Sequence, residues 1–314
     1  MIKKLNILVT GCGGDIGQSI CKILRKHSLV QKIIGCDIHQ NHPGKFLVDE
    51  FYLIPFCTLD SYLPELQKLI EDKSIDIIVP ASEPELRFFL KKRIIKRIFN
   101  RPLIMANHKA LEVGFDKLKT ALFLMDAALP FPETTLIGEV NNMGYPAVLK
   151  SRDGSGSKQV VILNDIEDFQ YYKSKHPKFI LQEYLGNEKV EYTCGLFRSK
   201  IGNCRNVIFN RTLAGGFSNF GIVEQNKDIS QLLNNIGDNL ELEGSINVQL
   251  RLTQKGPIVF EINPRFSSTV LFRDLLGFKD LIWSIEDNLG MAISSYHPIE
   301  KGRKFYKGYQ EYYE

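Results

Sequence analysis

The sequence predicts two architectures in one chain: an N-terminal Rossmann-like α/β layer and, after it, a region of the α+β class. First, apolar strand-like runs alternate with helical patterns over the first hundred residues. Second, short strand-like runs joined by short turns dominate after Pro102. Third, a chain of 314 residues that is 44% hydrophobic is long enough to form two or three lobes. Alternating strands and helices are typical of a parallel sheet, whereas short turns favour antiparallel pairing.

Apolar and amphipathic patterns predict the elements of the first layer. In chain order they are a strand over 5–10, a helix over 16–27, a strand over 32–37, a helix over 62–72 and a strand over 75–80. Each strand is followed by a long connection, as a parallel sheet requires. The first hundred residues are therefore expected to form a sheet flanked by crossover helices.

The second region begins with two helices, over 107–113 and 116–128, and Pro130 and Pro132 stop the second of them. Strands are then predicted over 145–150, 159–163, 179–185, 190–197 and 202–211, with one helix over 166–174. A helix over 229–240 and strands over 245–252 and 257–264 complete the pattern. Because most turns are short, these strands are expected to pair antiparallel.

Charge and composition argue against several classes of partner. The formal net charge of +4 is mild. The densest basic run, residues 91–97, contains Ile94 and Ile95, which predict an amphipathic helix with a solvated basic face rather than a nucleic-acid site. No apolar run approaches the ~18 residues of a membrane span, and no signal peptide is expected at the start of the chain. Neither a nucleic acid nor a membrane is an expected partner.

The six cysteines form no CxxC pair and no cysteine–histidine cluster in the sequence. This spacing argues against structural zinc and is typical of buried thiols in a reducing compartment. A cytoplasmic location is the resulting expectation.

The stretch VTGCGGDIG raises the possibility of a dinucleotide site. Gly11, Gly14 and Gly17 follow the first predicted strand, and Asp37 lies where such a site places its ribose-binding acid. This leaves open an NAD(P)-dependent oxidoreductase. A second match, Tyr171-x-x-x-Lys175, resembles the tyrosine–lysine pair of short-chain dehydrogenases, but its neighbourhood predicts a short surface helix. We therefore interpret the pair as surface residues.

The segment INVQLRLTQKGPIVFEINPRFSST carries the most specific signal. Two strands joined by a turn place Gln249 on one strand and Glu261 and Asn263 on one face of the other. Carboxylate and amide oxygens are the ligands that Mg²⁺ prefers. Arg265 follows, where its guanidinium could hold a phosphoryl group or an anionic substrate. The pattern predicts a magnesium site.

The stretch FEINPRFSST resembles the metal-binding strand of the ATP-grasp superfamily, in the branch of carbamoyl-phosphate synthase, biotin carboxylase and the carboxylate–amine ligases. Further blocks occur in the family's order. FDKLKT resembles the block whose lysine, here Lys117, reaches the ATP phosphates. YPAVLKSRDGSGSKQVVIL resembles the strand, lysine and glycine-rich flap, with Lys150 near the α-phosphate. The flap residues implied to cover the phosphates are Ser155, Gly156 and Ser157.

The resemblance extends to the nucleotide base and to the substrate. ILQEYLGNEKVEYT resembles the adenine hinge, which implies base contacts from Glu183, Tyr184 and Leu185 and ribose contacts from Glu191. RTLAGGFSNFGIVEQN matches more loosely. The substrate residues it implies are Arg211, Gly216 and Ser218.

The resemblance covers nearly the whole chain and implies a short, stand-alone ligase. It implies a pre-ATP-grasp domain at 1–105, a first ATP-grasp lobe at 106–185 and a second lobe with the metal site at 186–314. A substrate carboxylate would be activated as an acyl phosphate by MgATP, with Mn²⁺ able to replace Mg²⁺, and then joined to an amine. Arg265, Lys150 and Asn263 would be the catalytic residues. A homodimer agrees with the resemblance, and the two small-molecule substrates stay open.

Overall fold

The computed structural model describes residues 3–139, 144–154, 160–186, 191–214, 217–308 and 310–313. Its first layer is a four-stranded parallel sheet in the order β3-β2-β1-β4. The elements are β1 (Leu5–Thr10), α1 (Asp15–Leu24), β2 (Val30–Asp37), β3 (Glu50–Leu53), α2 (Tyr62–Asp72), β4 (Ile77–Pro80) and α3 (Glu83–Lys91). The predicted Rossmann-like layer is confirmed, and β1 lies inside it because its apolar residues are buried on both faces.

The helix predicted over 91–97 is wrong. Helix α3 ends at Lys91, and Arg93 and Lys96 have positive φ angles of 55° and 59°, which no α-helix accommodates. The chain turns instead into two short paired strands, β5 (Arg97–Ile98) and β6 (Arg101–Pro102). This turn buries Ile98 in the core of the first layer, so tertiary packing overrides the helical pattern.

A second, antiparallel sheet follows two helices. The elements are α4 (His108–Gly114), α5 (Lys117–Asp126), β7 (Thr134–Leu136), β8 (Ala147–Lys150), β9 (Val160–Leu163), α6 (Ile166–Lys175) and β10 (Ile180–Glu183). The strand order is β7-β10-β8-β9. Asp116 caps α5 by accepting hydrogen bonds from the backbone N–H groups of Leu118 and Lys119. Phe169 of α6 is fully buried in a small core under this sheet.

The third sheet has six antiparallel strands in the order β15-β14-β11-β12-β13-β16. Its elements are β11 (Glu191–Arg198), β12 (Cys204–Ala214), β13 (Phe217–Glu224), α7 (Lys227–Asn239), β14 (Gly244–Thr253), β15 (Gly256–Asn263), α8 (Val270–Leu276), α9 (Asp280–Asn288) and β16 (Lys304–Tyr306). The predicted α+β region of antiparallel sheets is thereby confirmed.

The two faces of the third sheet differ in chemistry. Val248 and Leu250 of β14 are fully buried in the core that includes α7. The alternate residues Asn247, Gln249 and Arg251 therefore lie on the opposite face, which is polar. This polar face carries the candidate active site.

Helices α8 and α9 return to the first layer. Val270, Leu281 and Ile282 pack in one core cluster with Ile7 and Val9 of the parallel sheet. Strand β15 is thus linked to the N-terminal layer by the chain segment that follows it. Among the described residues, no helix is both long enough and apolar enough to cross a membrane.

Candidate active site

The predicted magnesium ligands lie together on β14 and β15. Gln249 pairs with Glu261, and Asn247 pairs with Asn263, so Glu261 and Asn263 face the same side of the sheet. A bulge at Phe260 shifts the register just before Glu261. The carboxylate of Glu261 accepts no hydrogen bond and forms no salt bridge with the residues that the structure describes. Two oxygen donors on one face, one of them an unengaged carboxylate, fit the hard ligand set of Mg²⁺.

Lys150 approaches the same strand from the second sheet. It ends β8, is only 6% exposed, and its Nζ donates to the Phe260 carbonyl oxygen at 3.4 Å. Burial lowers the pKa of Lys150 to about 8, with Glu261 opposing and Lys117 adding to the shift. A buried ammonium and a carboxylate without a hydrogen-bond partner thus lie near each other at strand β15.

Lys117 lies at the base of the glycine-rich flap. Its Nζ donates to the carbonyl oxygen of Gly154 at 2.8 Å, and its backbone N–H donates to Arg152. Arg152 forms a salt bridge with Asp116, with Nε 2.9 Å from both carboxylate oxygens. The start of the flap is therefore fastened to the N-terminus of α5. The predicted flap residues Ser155, Gly156 and Ser157 lie outside the described residues.

Glu191 is the centre of a buried ionic cluster. Its Oε1 accepts from Arg211 at 2.9 Å and its Oε2 from Arg251 at 3.2 Å, and the three side chains are 8–15% exposed. Arg211 also donates to Gln249 at 3.0 Å and to the Ser218 hydroxyl at 3.2 Å. The predicted substrate residues Arg211 and Ser218 thus contact the predicted nucleotide and metal residues. Gly216 lies outside the described residues.

The predicted adenine hinge, residues 183–185, lies between the ionic cluster of Glu191 and the second sheet. Arg251 donates to the carbonyl oxygen of Gly186, directly after the half-buried Tyr184 and Leu185. The backbone N–H of Glu183 donates to the Glu133 carbonyl oxygen at 2.8 Å, and the Glu183 carboxylate accepts from the Glu133 N–H at 3.3 Å. The N–H of Glu183 therefore extends the β7–β10 pairing, whereas no hydrogen bond is described for the N–H groups of Tyr184 and Leu185.

Arg265 connects the end of strand β15 with the N-terminal layer. Its Nε lies 3.3 Å from Glu83 at the start of α3, and its Nη2 lies 3.5 Å from the Asn263 side-chain oxygen. Burial would raise the pKa of Glu83, but Arg265 and Arg87 outweigh it and hold that pKa below its ordinary value. Glu83 is therefore an ionised carboxylate next to the end of strand β15.

The glycine turn is packed against other parts of the protein. The Gly13 N–H donates to Asp37 at 2.9 Å, and His42 covers Gly13 so closely that a Cβ there would lie 2.6 Å from its ring. At Gly17 a Cβ would lie 2.3 Å from the Gly11 carbonyl oxygen. Asp37 thus binds the turn itself, whereas the dinucleotide hypothesis requires it to bind a ribose, and close packing explains Gly13 and Gly17.

The tyrosine–lysine pair that resembled a dehydrogenase motif lies on the surface. Lys175 donates to the Tyr171 hydroxyl on helix α6, and Tyr171 is 52% exposed. The preferred interpretation, a pair of surface residues, agrees with this position.

Sequence reasoning missed Arg251 and Glu83 as members of the site. Arg251 could have been found, because it lies two residues after Gln249 on a strand and therefore on the same face. Glu83 is far from Arg265 in the chain, and only the return of the C-terminal helices brings the two together.

Comparisons with known proteins identify two families along the chain. Residues 115–269 match the ATP-grasp domain family, and residues 7–98 match the family described as PylC-like, N-terminal domain. A carbamoyl-phosphate synthase of Methanobrevibacter smithii is 21% identical over 152 residues, which is 46% of this chain. The chain spans only 40% of the length of that curated relative.

Solved structures with the same fold cover nearly the whole chain. An ADP complex of N5-carboxyaminoimidazole ribonucleotide synthetase superposes with a TM-score of 0.76 and 18% identity, over 95% of this chain and 80% of that one. An L-amino acid ligase from Bacillus licheniformis gives a TM-score of 0.69 and 16% identity, over 92% and 75%.

The biotin carboxylase domain of a Hydrogenobacter thermophilus 2-oxoglutarate carboxylase, solved as a dimer with MgADP and bicarbonate, gives a TM-score of 0.74 and 15% identity, over 96% of this chain and 74% of that one. These structures share the fold of the present chain. The chain belongs to the ATP-grasp superfamily, with a PylC-like N-terminal domain ahead of its ATP-grasp domain.

Proposed function

We propose that this protein is an ATP-dependent carbon–nitrogen ligase. A carboxylate oxygen of the substrate attacks the γ-phosphorus of ATP, the bond to the β-phosphate oxygen breaks, and an acyl phosphate and ADP result. An amine then attacks the acyl carbon, loses a proton and displaces phosphate, which leaves an amide. The two half-reactions together consume one ATP and release ADP, phosphate and a proton for each amide formed.

One observation carries the proposal: Glu261 and Asn263 offer oxygen donors on one face of β15, while the buried Lys150 reaches the same strand from the second sheet. Cationic and metal-ligating groups that converge from two sheets are suited to hold a polyphosphate between them. Mg²⁺ bound by Glu261 and Asn263, with Gln249 as a further candidate ligand and Mn²⁺ as a substitute, would offset the charge on the phosphates.

Each cation has a distinct place in this arrangement. Lys150 is a fixed positive charge in a buried position, where its interaction with a phosphate is little screened by water. Lys117, whose Nζ donates to the carbonyl oxygen of Gly154, is inferred to bind a phosphate as well. Arg265 is placed to hold the transferred phosphoryl group, while Glu83 keeps its guanidinium in position.

The nucleoside would lie beside the ionic cluster. We infer that the backbone of Tyr184 and Leu185 binds the adenine edge, that Glu183 contributes to the same contact, and that Glu191 accepts the ribose hydroxyls. Glu191 has two arginine partners but four lone-pair positions, so it can accept further hydrogen bonds. The phosphate contacts inferred for Ser155, Gly156 and Ser157 belong to the same proposal.

The substrate cleft is inferred to lie between the N-terminal layer and the polar face of the third sheet. The Glu83–Arg265 pair marks this boundary, and Arg211, Gly216 and Ser218 would line its other side. The proposed domains, 1–105, 106–185 and 186–314, would meet here. The proposed partners are a small-molecule carboxylate and an amine, and a homodimer is proposed from the dimer among the similar structures.

A two-step screen tests the proposal. ADP release is measured with MgATP against panels of carboxylic acids and amines, and the condensed product is identified by mass spectrometry. We expect ADP release that depends on both an acid and an amine, with a product mass equal to their sum minus water. NAD(P)-dependent oxidation of a substrate without ADP release would contradict the proposal and support the oxidoreductase alternative.

A further inference from the structure

A second group of metal-ligating side chains lies in the N-terminal layer, apart from the residues proposed for MgATP. Cys12 follows β1, Asp37 ends β2, and His42 precedes the short 3-10 helix Pro43–Leu47. One potential ligand atom from each residue lies within 4.8 Å of the other two. Among the described residues this is the only such group of three histidine, cysteine or acidic side chains.

The imidazole of His42 has polar atoms without hydrogen-bond partners among the described residues. Both of its ring nitrogens are buried, and neither has a hydrogen-bond partner among the described residues. Phe51 holds the ring by an edge contact with centroids 5.0 Å apart, and Gly13 lies against its face. Buried polar atoms without a partner are rare because leaving them unsatisfied costs about 1–3 kcal/mol. Both ring nitrogens are therefore available to an additional ligand.

Asp37 and Cys12 are also arranged so that they can bind a metal ion. The Asp37 oxygens accept one backbone N–H each, Oδ2 from Gly13 at 2.9 Å and Oδ1 from His39 at 3.1 Å. Each oxygen keeps a second lone pair for a metal. Gly35 leaves room for the Cys12 thiol, since a Cβ at that glycine would lie 2.9 Å from Sγ. Orientation of a carboxylate by backbone N–H groups is typical of metal ligands.

We propose that Cys12, Asp37 and His42 bind a zinc ion, with water as the fourth ligand. A sulfur, a nitrogen and a carboxylate oxygen suit Zn²⁺ and disfavour Mg²⁺, which prefers oxygen alone. Ligand atoms in a tetrahedral zinc site lie about 3.5 Å apart, so atoms that now lie within 4.8 Å of one another would approach by at most about 1.3 Å. On binding, the thiol of Cys12 releases its proton to solvent and the sulfur binds as thiolate.

The ion would fasten the glycine turn to the loop after β2. Cys12 and Gly13 belong to the turn, whereas His42 belongs to the loop, and Asp37 already joins them by its hydrogen bond to Gly13. The cysteines and histidines form no cluster in the sequence, because Cys12 and His42 come together only through the parallel pairing of β1 and β2. A bound ion would thus cross-link two segments of the N-terminal layer.

Titration of the metal-free full chain with Co²⁺, in the presence of saturating Mg²⁺, tests the proposal. Co²⁺ occupies zinc sites, and a thiolate ligand adds a near-ultraviolet charge-transfer band that an all-oxygen site does not produce. We expect the band to saturate at one Co²⁺ per chain and Zn²⁺ to bleach it, because zinc binds such sites more tightly. A titration without the band, or a band that Zn²⁺ leaves unchanged, would overturn the proposal.

Variants assign the band to these residues. Cys12→Ser is expected to abolish it, whereas Cys204→Ser, which alters a thiol on β12, is expected to keep it. His42→Ala changes a partly exposed side chain outside the apolar core and should weaken Co²⁺ binding by more than ~10-fold with an unchanged circular dichroism spectrum. Survival of the band in Cys12→Ser, or unchanged affinity in folded His42→Ala, would contradict the assignment.

Discussion

Replacement of Lys150 by methionine is expected to stabilise the protein while weakening its binding of MgATP. The side chain is 6% exposed, and burial lowers the pKa of Lys150 from 10.5 to about 8. A shift of this size corresponds to ~3 kcal/mol of unfavourable free energy for the charged form in the folded state. Methionine removes that cost but also the hydrogen bond to Phe260, worth ~1 kcal/mol. The expected net gain is therefore ~2 kcal/mol at pH 7.

The lowered pKa of Lys150 also determines how the stability gained in Lys150→Met depends on pH. Between pH 8 and 10.5 the unfolded chain keeps the Lys150 proton that the folded chain has lost, so the free energy of unfolding of the parent rises with pH through this range. Below pH 8 both states are protonated and the destabilisation is complete. The advantage of Lys150→Met should thus be constant below pH 8 and shrink as the pH approaches 10.5.

Urea unfolding of the parent and Lys150→Met at pH 7 and pH 10, followed by circular dichroism, measures the difference. Lys178→Met, which replaces an exposed lysine before β10, is the matched control and should change stability by less than ~0.5 kcal/mol. Calorimetric titration with MgATP should show a loss of affinity in Lys150→Met of more than ~10-fold and none in the control. A Lys150→Met variant that is less stable than the parent at pH 7, or that binds MgATP equally well, would refute the reasoning.

Four further predictions follow from the structure. Glu261→Gln should abolish metal-dependent ADP formation and leave the melting temperature unchanged, because no described residue pairs with that carboxylate; near-normal turnover would argue against the metal assignment. Glu191→Ala should lower the free energy of unfolding by ~3 kcal/mol in urea denaturation, because two buried arginines lose their partner, and an unchanged midpoint would contradict this. Gly17→Ala should lower the melting temperature, since its Cβ would meet a carbonyl oxygen at 2.3 Å, whereas Gly14→Ala, with its nearest contact at 3.5 Å, should not; equal effects would refute the packing explanation. We propose that the glycine turn lies at the rim of the substrate cleft, so Gly14→Val should impair use of the acid or amine more than ATP affinity. A selective loss of ATP binding would count against this position of the turn.

The sequence was most informative where the chemistry is local. Residues two apart on a strand share a face, so the common orientation of Glu261 and Asn263 could be predicted from their spacing alone. A short turn also made the pairing of β14 with β15 predictable, which placed Gln249 opposite Glu261. Strand and helix patterns alternate over the first hundred residues, and this alternation predicted the parallel sheet. That prediction was also local, because it depends only on elements that are neighbours in the chain.

Contacts between distant parts of the chain could not be predicted in this way. The pair Arg265–Glu83 and the group of Cys12 with His42 depend on which elements meet in space, and no local pattern encodes that. The prediction of a helix over 91–97 is wrong for a related reason, because burial of Ile98 in the first layer outweighs the local helical pattern. The contact of Arg211 with Glu191 is a further example, because only the pairing of β11 with β12 reveals it.

The central claim, that the nucleotide binds between the second and third sheets and not at the glycine turn, is tested most directly by a crystal structure with ADP and Mn²⁺. The account predicts an anomalous manganese peak beside Glu261 and Asn263, with the phosphates in reach of Lys117 and Lys150. A nucleotide bound against the glycine turn at 11–17, with no manganese at β15, would contradict it.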